Sequence, residues 1–415
     1  MVAAAAVAVV EDAVGTEITT TRKDRVGLAW RPELAAGIFA HQDQIDVLEV
    51  IAEDWFDTPR PRLSALKTLA AQIPLQLHGI SAGMASAVIV EEHRLAKMAH
   101  LVDWVQPEAW SEHLAFVRAS GVDIGHLAAP PRTPNTVESS AENVYRSSRI
   151  VGMTPMVENI ATLIDPPAST MSEVDWLSKV VTASGAPLLL DLHNLYANAV
   201  NFGCDSATTP LDALRTLPQD RVGTVHIAGG RWLGAGRQFP DEYRLLDDHL
   251  HPVPDTVFVL LEDLAAHTSQ SLTVILERDG AFPTMEDLLL ELDLARAAMR
   301  RGRVRNTPAP KTAPYVKDES PCGASSPQLE TLLARIYTDD VACAAFLSDP
   351  REFARSHGLP SREARALASI DRLGLGMAAR SFARKREANQ VRSAHENWFD
   401  RMLRELSRSF TSVSR

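Results

Sequence analysis

Cysteine is scarce in this chain of 415 residues: Cys204, Cys322 and Cys343 are scattered and odd in number. No disulfide framework can be built from them, and with no clustered thiolates an iron–sulfur centre is not expected. A reducing cytoplasm is the expected compartment. Positive charge is also short. Lys and Arg number 42 against 53 Asp and Glu, for a formal net charge of -11, so no dominant basic field exists to bind a nucleic acid. Long apolar runs are missing too. The opening MVAAAAVAVVEDAVG lacks a basic flank and meets acids at Glu11 and Asp12. It is far shorter than a membrane span, so residues 1–22 read as a flexible extension and no membrane partner is expected.

What the chain does have is eight short apolar runs between residues 25 and 280. They are RVGLAW (25–30), DVLEVIAED (46–54), PLQLHGI (74–80), AWSEHLAF (109–116), PMVENIA (155–161), PLLLDLHNLY (187–196), RVGTVHIAGG (221–230) and LTVILERDG (272–280). Segments of helical periodicity separate them, at 61–72, 91–105, 136–151, 170–184, 210–217 and 284–301. Strand–helix alternation of this count predicts an α/β fold, a TIM (β/α)8-type barrel over residues 23–303. Five prolines in RVRNTPAPKTAPYVKDESPCGASSP mark 304–327 as a linker. Residues 328–415 then read as a small all-helical domain, with helices able to begin at Pro350 and Pro360. Its last helices are rich in arginine (Arg380, Arg384, Arg386, Arg392, Arg401, Arg404). That is either a solvated basic face or a docking surface for an acidic peptide.

The tips of the runs carry chemistry. Glu49, His78, Glu112 with His113, Glu158 with Asn159, Asp191 with His193, His226 and Glu277 all stand at or near strand ends. A buried parallel strand has little reason to end in a carboxylate or imidazole unless that end is functional, and barrel chemistry sits at the C-terminal strand ends. Taken singly, such a histidine is more often structural and such a carboxylate often caps the next helix; the recurrence at equivalent positions points to a metal site. Alternation along a strand would turn Asp191 and His193 to one side. His113 is the expected ligand of its pair, with Glu112 fixing an imidazole. The segment LLDDHLHPVPD (245–255), read as a loop, repeats the Asp-x-His spacing in Asp247 and His249, with Asp248 and His251 beside them. So many ligands exceed the needs of one ion, which favours two or three sharing carboxylates.

LQLHGI, SEHLAF, PMVENIA, LLLDLHNLY, VHIAGG, the run at 247–254 and ILERDG together resemble the multinuclear non-haem iron-dependent oxidative enzymes, the family of methanobactin-biosynthesis peptide-modifying enzymes. The resemblance covers about residues 22–300. It implies two or three mixed-valent iron ions, with O2 as co-substrate. The implied activity is oxidative modification of a residue, often cysteine, in a ribosomally made precursor peptide. Carried over by position, the ligands are His78, His113, Glu158, Asp191, His193, His226, Asp247, His249 and Glu277, with His226, Asp247 and Glu158 closest to the chemistry. Many relatives carry Asn-Asn where this chain has His193 and Asn194, so either could be the ligand there. Relatives also often carry a histidine where Gly230 stands, which bears on a substrate contact. A partner protein often holds the peptide in this family, and residues 328–415 could be such a partner in cis. Two other readings use similar residues: a redox-neutral divalent-metal barrel, isomerase or phosphoesterase, and a non-catalytic peptide-binding protein.

Overall fold

The computed structural model describes residues 23–202, 209–234, 242–305 and 326–388. The N-terminal extension, nearly all of the Pro-rich linker, Cys204, Cys322 and the chain beyond residue 388 lie outside them. Twelve strands occur among these residues: β1 Arg25–Ala29, β2 Val47–Ile51, β3 Leu75–Gly79, β4 Ala109–His113, β5 Phe116–Ala119, β6 Val122–Ala128, β7 Met156–Glu158, β8 Leu188–Asp191, β9 Val222–Ile227, β10 Gly230–Gly234, β11 Tyr243–Asp247 and β12 Thr273–Leu276. Eight of them close a parallel barrel in the order β1-β12-β9-β8-β7-β4-β3-β2. Each expected run supplies one barrel strand. The seam is closed by β1 pairing with β12, Arg25 opposite Thr273 and Leu28 opposite Leu276. Near-continuous burial of these strands follows from a sheet covered on both faces.

The helices follow their local signals. Pro134–Val151 begins at a reciprocal capping box between Thr133 and Thr136 and ends at Gly152 in the left-handed region. Glu173–Ser184 starts on the Ser172 side chain and stops at Gly185. One helix departs from expectation. The run 187–196 is a strand only as far as Asp191, and Leu192–Phe202 is helical. Nearly every residue of that run is buried, so polarity gave no sign of the change.

Two antiparallel hairpins stand on the C-terminal side of the barrel. β5 pairs with β6 after the fourth barrel strand, and β10 pairs with β11 after the seventh. The stretch expected as a loop at 245–255 therefore begins inside a strand. Beyond the linker come helices Pro327–Thr338, Asp340–Ser348, Pro350–Ser356 and Ser361–Ala368, then a helix over 372–388. Asp339 splits what read as one segment by capping the backbone N–H groups of Val341 and Ala342. These helices share an apolar core with the barrel's appendages: Phe116, Ile124 and Leu163 pack with Leu333, Phe346 and Leu375. The larger core fills the barrel and the space beneath its own helices.

Candidate metal centre

The barrel strands end in a buried ring of imidazoles and carboxylates. Register explains the convergence: His113 lies opposite Glu158 on neighbouring strands, and Asp191 opposite His226. Two sets of side chains bring their ligand atoms within 4.8 Å of one another, His78 with His113 and Glu158, and Glu158 with Asp191, His226 and Glu277. Glu158 belongs to both. Its Oε2 lies 3.4 Å from His78 Nε2 and 3.2 Å from His113 Nε2, while its Oε1 lies 3.1 Å from His226 Nδ1.

Neighbouring groups aim the rings. Ser111 Oγ lies 2.8 Å from His78 Nδ1 and donates to the carbonyl of Leu77. That network leaves Nδ1 as donor and turns the Nε2 lone pair of His78 inward. His113 Nδ1 donates to the Gly79 carbonyl at 3.2 Å, with the same result. Glu112 behaves otherwise than expected. Its carboxylate accepts from the backbone N–H groups of Ala82 and His113 and stands 3.8 Å from the His113 ring. It braces the strand end, because the ring's Nδ1, the nitrogen nearest it, already donates to the Gly79 carbonyl.

A third set lies on the mouth side. His193 Nδ1 is 2.9 Å from Asp247 Oδ1, and His249 Nε2 is 2.7 Å from Asp247 Oδ2. His249 Nδ1 then reaches Glu277 at 3.6 Å and Asp279 at 3.4 Å. His193 arrives by helix, since Leu192–Phe202 starts directly at the end of β8. The Asp191 Oδ1 accepts from the backbone N–H of Asn194 and so caps that helix, leaving Oδ2 turned to the centre. Asn194 gives its amide to the Asn159 carbonyl, and Asn159 in turn clamps Asp191 through both backbone groups. His251 sits apart, half-exposed and bonded to Asp248 at 2.9 Å. A Cβ at Gly230 would meet the Leu246 carbonyl at 2.1 Å and the His193 ring at 2.6 Å. No side chain fits where many relatives carry histidine.

Three residues outside the expected set join the centre. Glu49 is buried and lies 3.0 Å from His226 Nε2. Asp279 faces His249 and is held by Arg31. Glu49 was visible as a strand tip; Asp279 and Arg31 carried no signal beyond proximity to Glu277 and to the end of β1.

The charges are unbalanced without cations. Burial would strip the proton from His226, yet Glu277, Glu49 and Glu158 outweigh it and hold its pKa well above the ordinary value. The same contest, with Glu158 foremost among the opposing charges, raises His113 to about 9. Burial, reinforced by Asp247 and Glu158, pushes Asp191 well above the usual carboxylate range. Burial tends to raise Glu277 as well, but His226 and His249 hold it down at about 2. Glu158 Oε2, Asp191 Oδ2, both ring nitrogens of His193, Asp247 Oδ1 and His249 Nε2 are buried without an aligned hydrogen-bond partner. Close approach without alignment is how ligands stand around a cation, and orphaned buried polar atoms otherwise carry a full desolvation penalty. The donor set, imidazole and carboxylate with no thiolate, fits iron, manganese or zinc.

A closed (β/α)8 barrel with such a cluster at its C-terminal strand ends is the architecture of a metal-dependent barrel enzyme. Residues 25–300 match the family described as "RiPP precursor modification enzyme MbnB/TglH/ChrH". The chain belongs to that family. A UPF0276 protein of Streptomyces avermitilis is 35% identical over 286 residues, which span 67% of this chain and 56% of that relative. This chain thus covers just over half of that protein's length. A UPF0276 protein of Caulobacter vibrioides is 31% identical over 68% of this chain and 96% of its own. Among solved structures, D-psicose 3-epimerase from Clostridium cellulolyticum H10 aligns with a TM-score of 0.41 at 12% identity, over 68% of this chain and 99% of the epimerase. The 3-keto-D-glucoside 4-epimerase of E. coli does so with 0.43 at 11%, over 66% and 100%. Among the described residues no helix is long and apolar enough to cross a membrane.

Proposed function

We propose that the chain is a multinuclear iron enzyme that uses O2 to modify a residue, cysteine foremost, of a ribosomally synthesised precursor peptide in the cytoplasm. The observation that carries the reading is Glu158, one carboxylate shared by two ligand groups, whose Oε2, like Asp191 Oδ2, is buried without an aligned hydrogen-bond partner. A shared carboxylate is the natural bridge between ions too close to be ligated separately. Iron bound there would supply O2 activation and an acidic position at which a substrate thiol ionises. The protein's own part is placement. His78, His113, Glu158, Asp191, His193, His226, Asp247, His249 and Glu277 are the proposed ligands, two or three ions among them. Glu49 holds the His226 ring by its second nitrogen, and Ser111 and Gly79 fix the other rings, the kind of outer contact that sets ligand basicity. His226, Asp247 and Glu158 are the proposed catalytic group. The segment 328–415 is assigned to holding the peptide in cis or meeting a partner protein.

The test is anaerobic purification followed by metal analysis, then oxygen uptake with a cysteine-bearing precursor peptide. Two or three irons per chain, and oxygen consumption matched by a mass change in the peptide, are expected. Full activity on a sugar or phosphate ester with zinc or manganese, and no oxygen consumed, would replace this reading with a redox-neutral one. Peptide binding by a chain that takes up no metal would make it a binding protein.

A further inference from the structure

The β10–β11 hairpin is held on one face and along one edge. Leu233 and Leu246 pack against the apolar core of the C-terminal helices. On the outer edge of β11 the Asn201 side chain accepts from the Leu245 N–H at 2.7 Å and donates to the Leu245 carbonyl at 2.9 Å. Those two bonds fix the phase of the ladder. Leu245 lies opposite Trp232. Since the backbone groups of Leu245 turn away from β10, those of Trp232 turn away from β11, and Gly230 and Gly234 share that direction. The outer edge of β10 has no cover like Asn201. Among the described residues nothing pairs with the backbone N–H or carbonyl of Trp232 or Gly234, and both residues are exposed. Open edges recruit other strands, and proteins ordinarily shield them. The β5–β6 hairpin is shielded: Phe116 and Ile124 lie in the core shared with the C-terminal helices, and Arg386 donates to the Ile124 carbonyl at 3.1 Å.

The open edge also leads to the metal centre. Alternation puts Tyr243, Leu245 and Asp247 on one face of β11, with Trp232 beside Leu245. That face carries a residue of the mouth-side set at its root. Further out it carries the Trp232 and Tyr243 rings, each more than half exposed. Gly230 begins the edge hard against His193, where a Cβ would come within 2.6 Å of the ring. A strand advances about 3.3 Å per residue, so a chain paired beside Trp232 reaches Gly230 two residues on.

We infer that the peptide substrate docks as a third strand on the outer edge of β10, hydrogen-bonded to Trp232 and Gly234 and running toward the mouth-side set. The inference rests on the peptide-modifying reading above and adds where and how the peptide is held. The occupant is an extended peptide because the open groups form a backbone row, which another extended backbone matches donor for acceptor. Alternate side chains of such a strand share the face of Asp247. Trp232 and Tyr243 supply apolar contact there that does not depend on the peptide's sequence.

The experiment uses the full-length chain loaded with Fe(II) and kept anaerobic, so that no turnover occurs. The probe is the tightest binder from a synthetic library of short peptides with a central cysteine. Hydrogen–deuterium exchange should slow over residues 230–234 when that peptide is bound. N-methylation of the peptide's backbone amides, one position at a time, should weaken binding on the order of tenfold at alternate positions and spare those between. Only every second N–H of an added strand faces β10. The scan needs no substitution in the protein. Trp232→Pro removes an N–H that faces away from the ladder, so the hairpin stands while the edge is blocked. Affinity should fall on the order of tenfold, with metal content unchanged. Trp232→Thr keeps the donor and should cost less than Trp232→Pro. A scan without alternation, or equal affinity in a folded Trp232→Pro, would overturn the inference and leave the peptide-modifying reading standing. So would a wild-type dimer that Trp232→Pro converts to monomers, since the edge would then belong to a second copy of the chain. A chain that binds no member of the library would overturn both.

Discussion

At the scale of single residues the centre is a problem of unbalanced charge. His226 is in contact with Glu49, Glu158 and Glu277, so removing its ring leaves three buried carboxylates facing one another. His226→Ala and Asp247→Ala should each lower metal affinity by more than about a hundredfold and abolish turnover, while circular dichroism reports an intact barrel. His251→Ala is the comparison, because that ring bonds only to Asp248 among the described residues and stands half-exposed. Metal content and activity near wild type are expected for it. Full metal content in His226→Ala would sink the assignment at that strand, and unfolding of all three variants would make the histidines structural. Sequence made much of this residue set legible, since imidazoles and carboxylates at strand tips are conspicuous in apolar runs. Arg31 was not, because nothing local distinguishes a cation facing the centre from one facing solvent.

At the scale of elements, the turn from β8 into Leu192–Phe202 shows where periodicity runs out. Alternation would have set Asp191 and His193 side by side on one strand, but they meet the centre from a strand end and a helix start. The two geometries both bring i and i+2 inward, so the spacing alone did not separate them. The β10–β11 hairpin was hidden for another reason: its residues are exposed or half-buried except Leu245, and an exposed hairpin has no apolar alternation to read. Gly230 opens that hairpin directly against His193. Gly230→Ala forces a Cβ onto the Leu246 carbonyl and the His193 ring, an overpacking cost of about 1–3 kcal/mol. A lower melting temperature and weaker binding of the mouth-side ion are expected together. Gly234→Ala in the same hairpin, where the added carbon meets only the Tyr243 ring at 3.5 Å, should change neither. Equal behaviour of the two variants would remove Gly230 from the account.

At the scale of the molecule, the barrel class and the eight runs that form its strands were legible in the sequence, while the attachment of the helical unit was not. An arginine-rich surface read as either a solvated basic face or a docking face turns out, at Arg386, to hold the unit to β6. The other clamp is Glu330, whose buried carboxylate accepts from the Ser86 hydroxyl at 3.0 Å and the Ala87 N–H at 2.7 Å. Burial raises its pKa to about 7 against these two donors. A carboxyl raised on folding binds protons more readily in the folded state, so stability falls as pH rises from about 4.5 through about 7, by up to about 3 kcal/mol. Glu330→Gln keeps an acceptor for Ala87 and cannot ionise. Its denaturation midpoint should exceed that of wild type at pH 8 and lose this part of the pH dependence; a wild-type slope in the variant would show that another group titrates.

The shared core has a consequence for synthesis. The barrel cannot close until β12 has left the ribosome, since β1 waits for a partner near residue 273. Even then Phe116, Ile124 and Leu163 keep their apolar faces open until residues as late as Phe382 emerge. At typical elongation rates that is on the order of 10 s of exposed hairpin surface on a nascent chain, the interval in which chaperones bind and strands mispair. A ribosome stalled between those two points would hold a finished barrel with an unfinished surface.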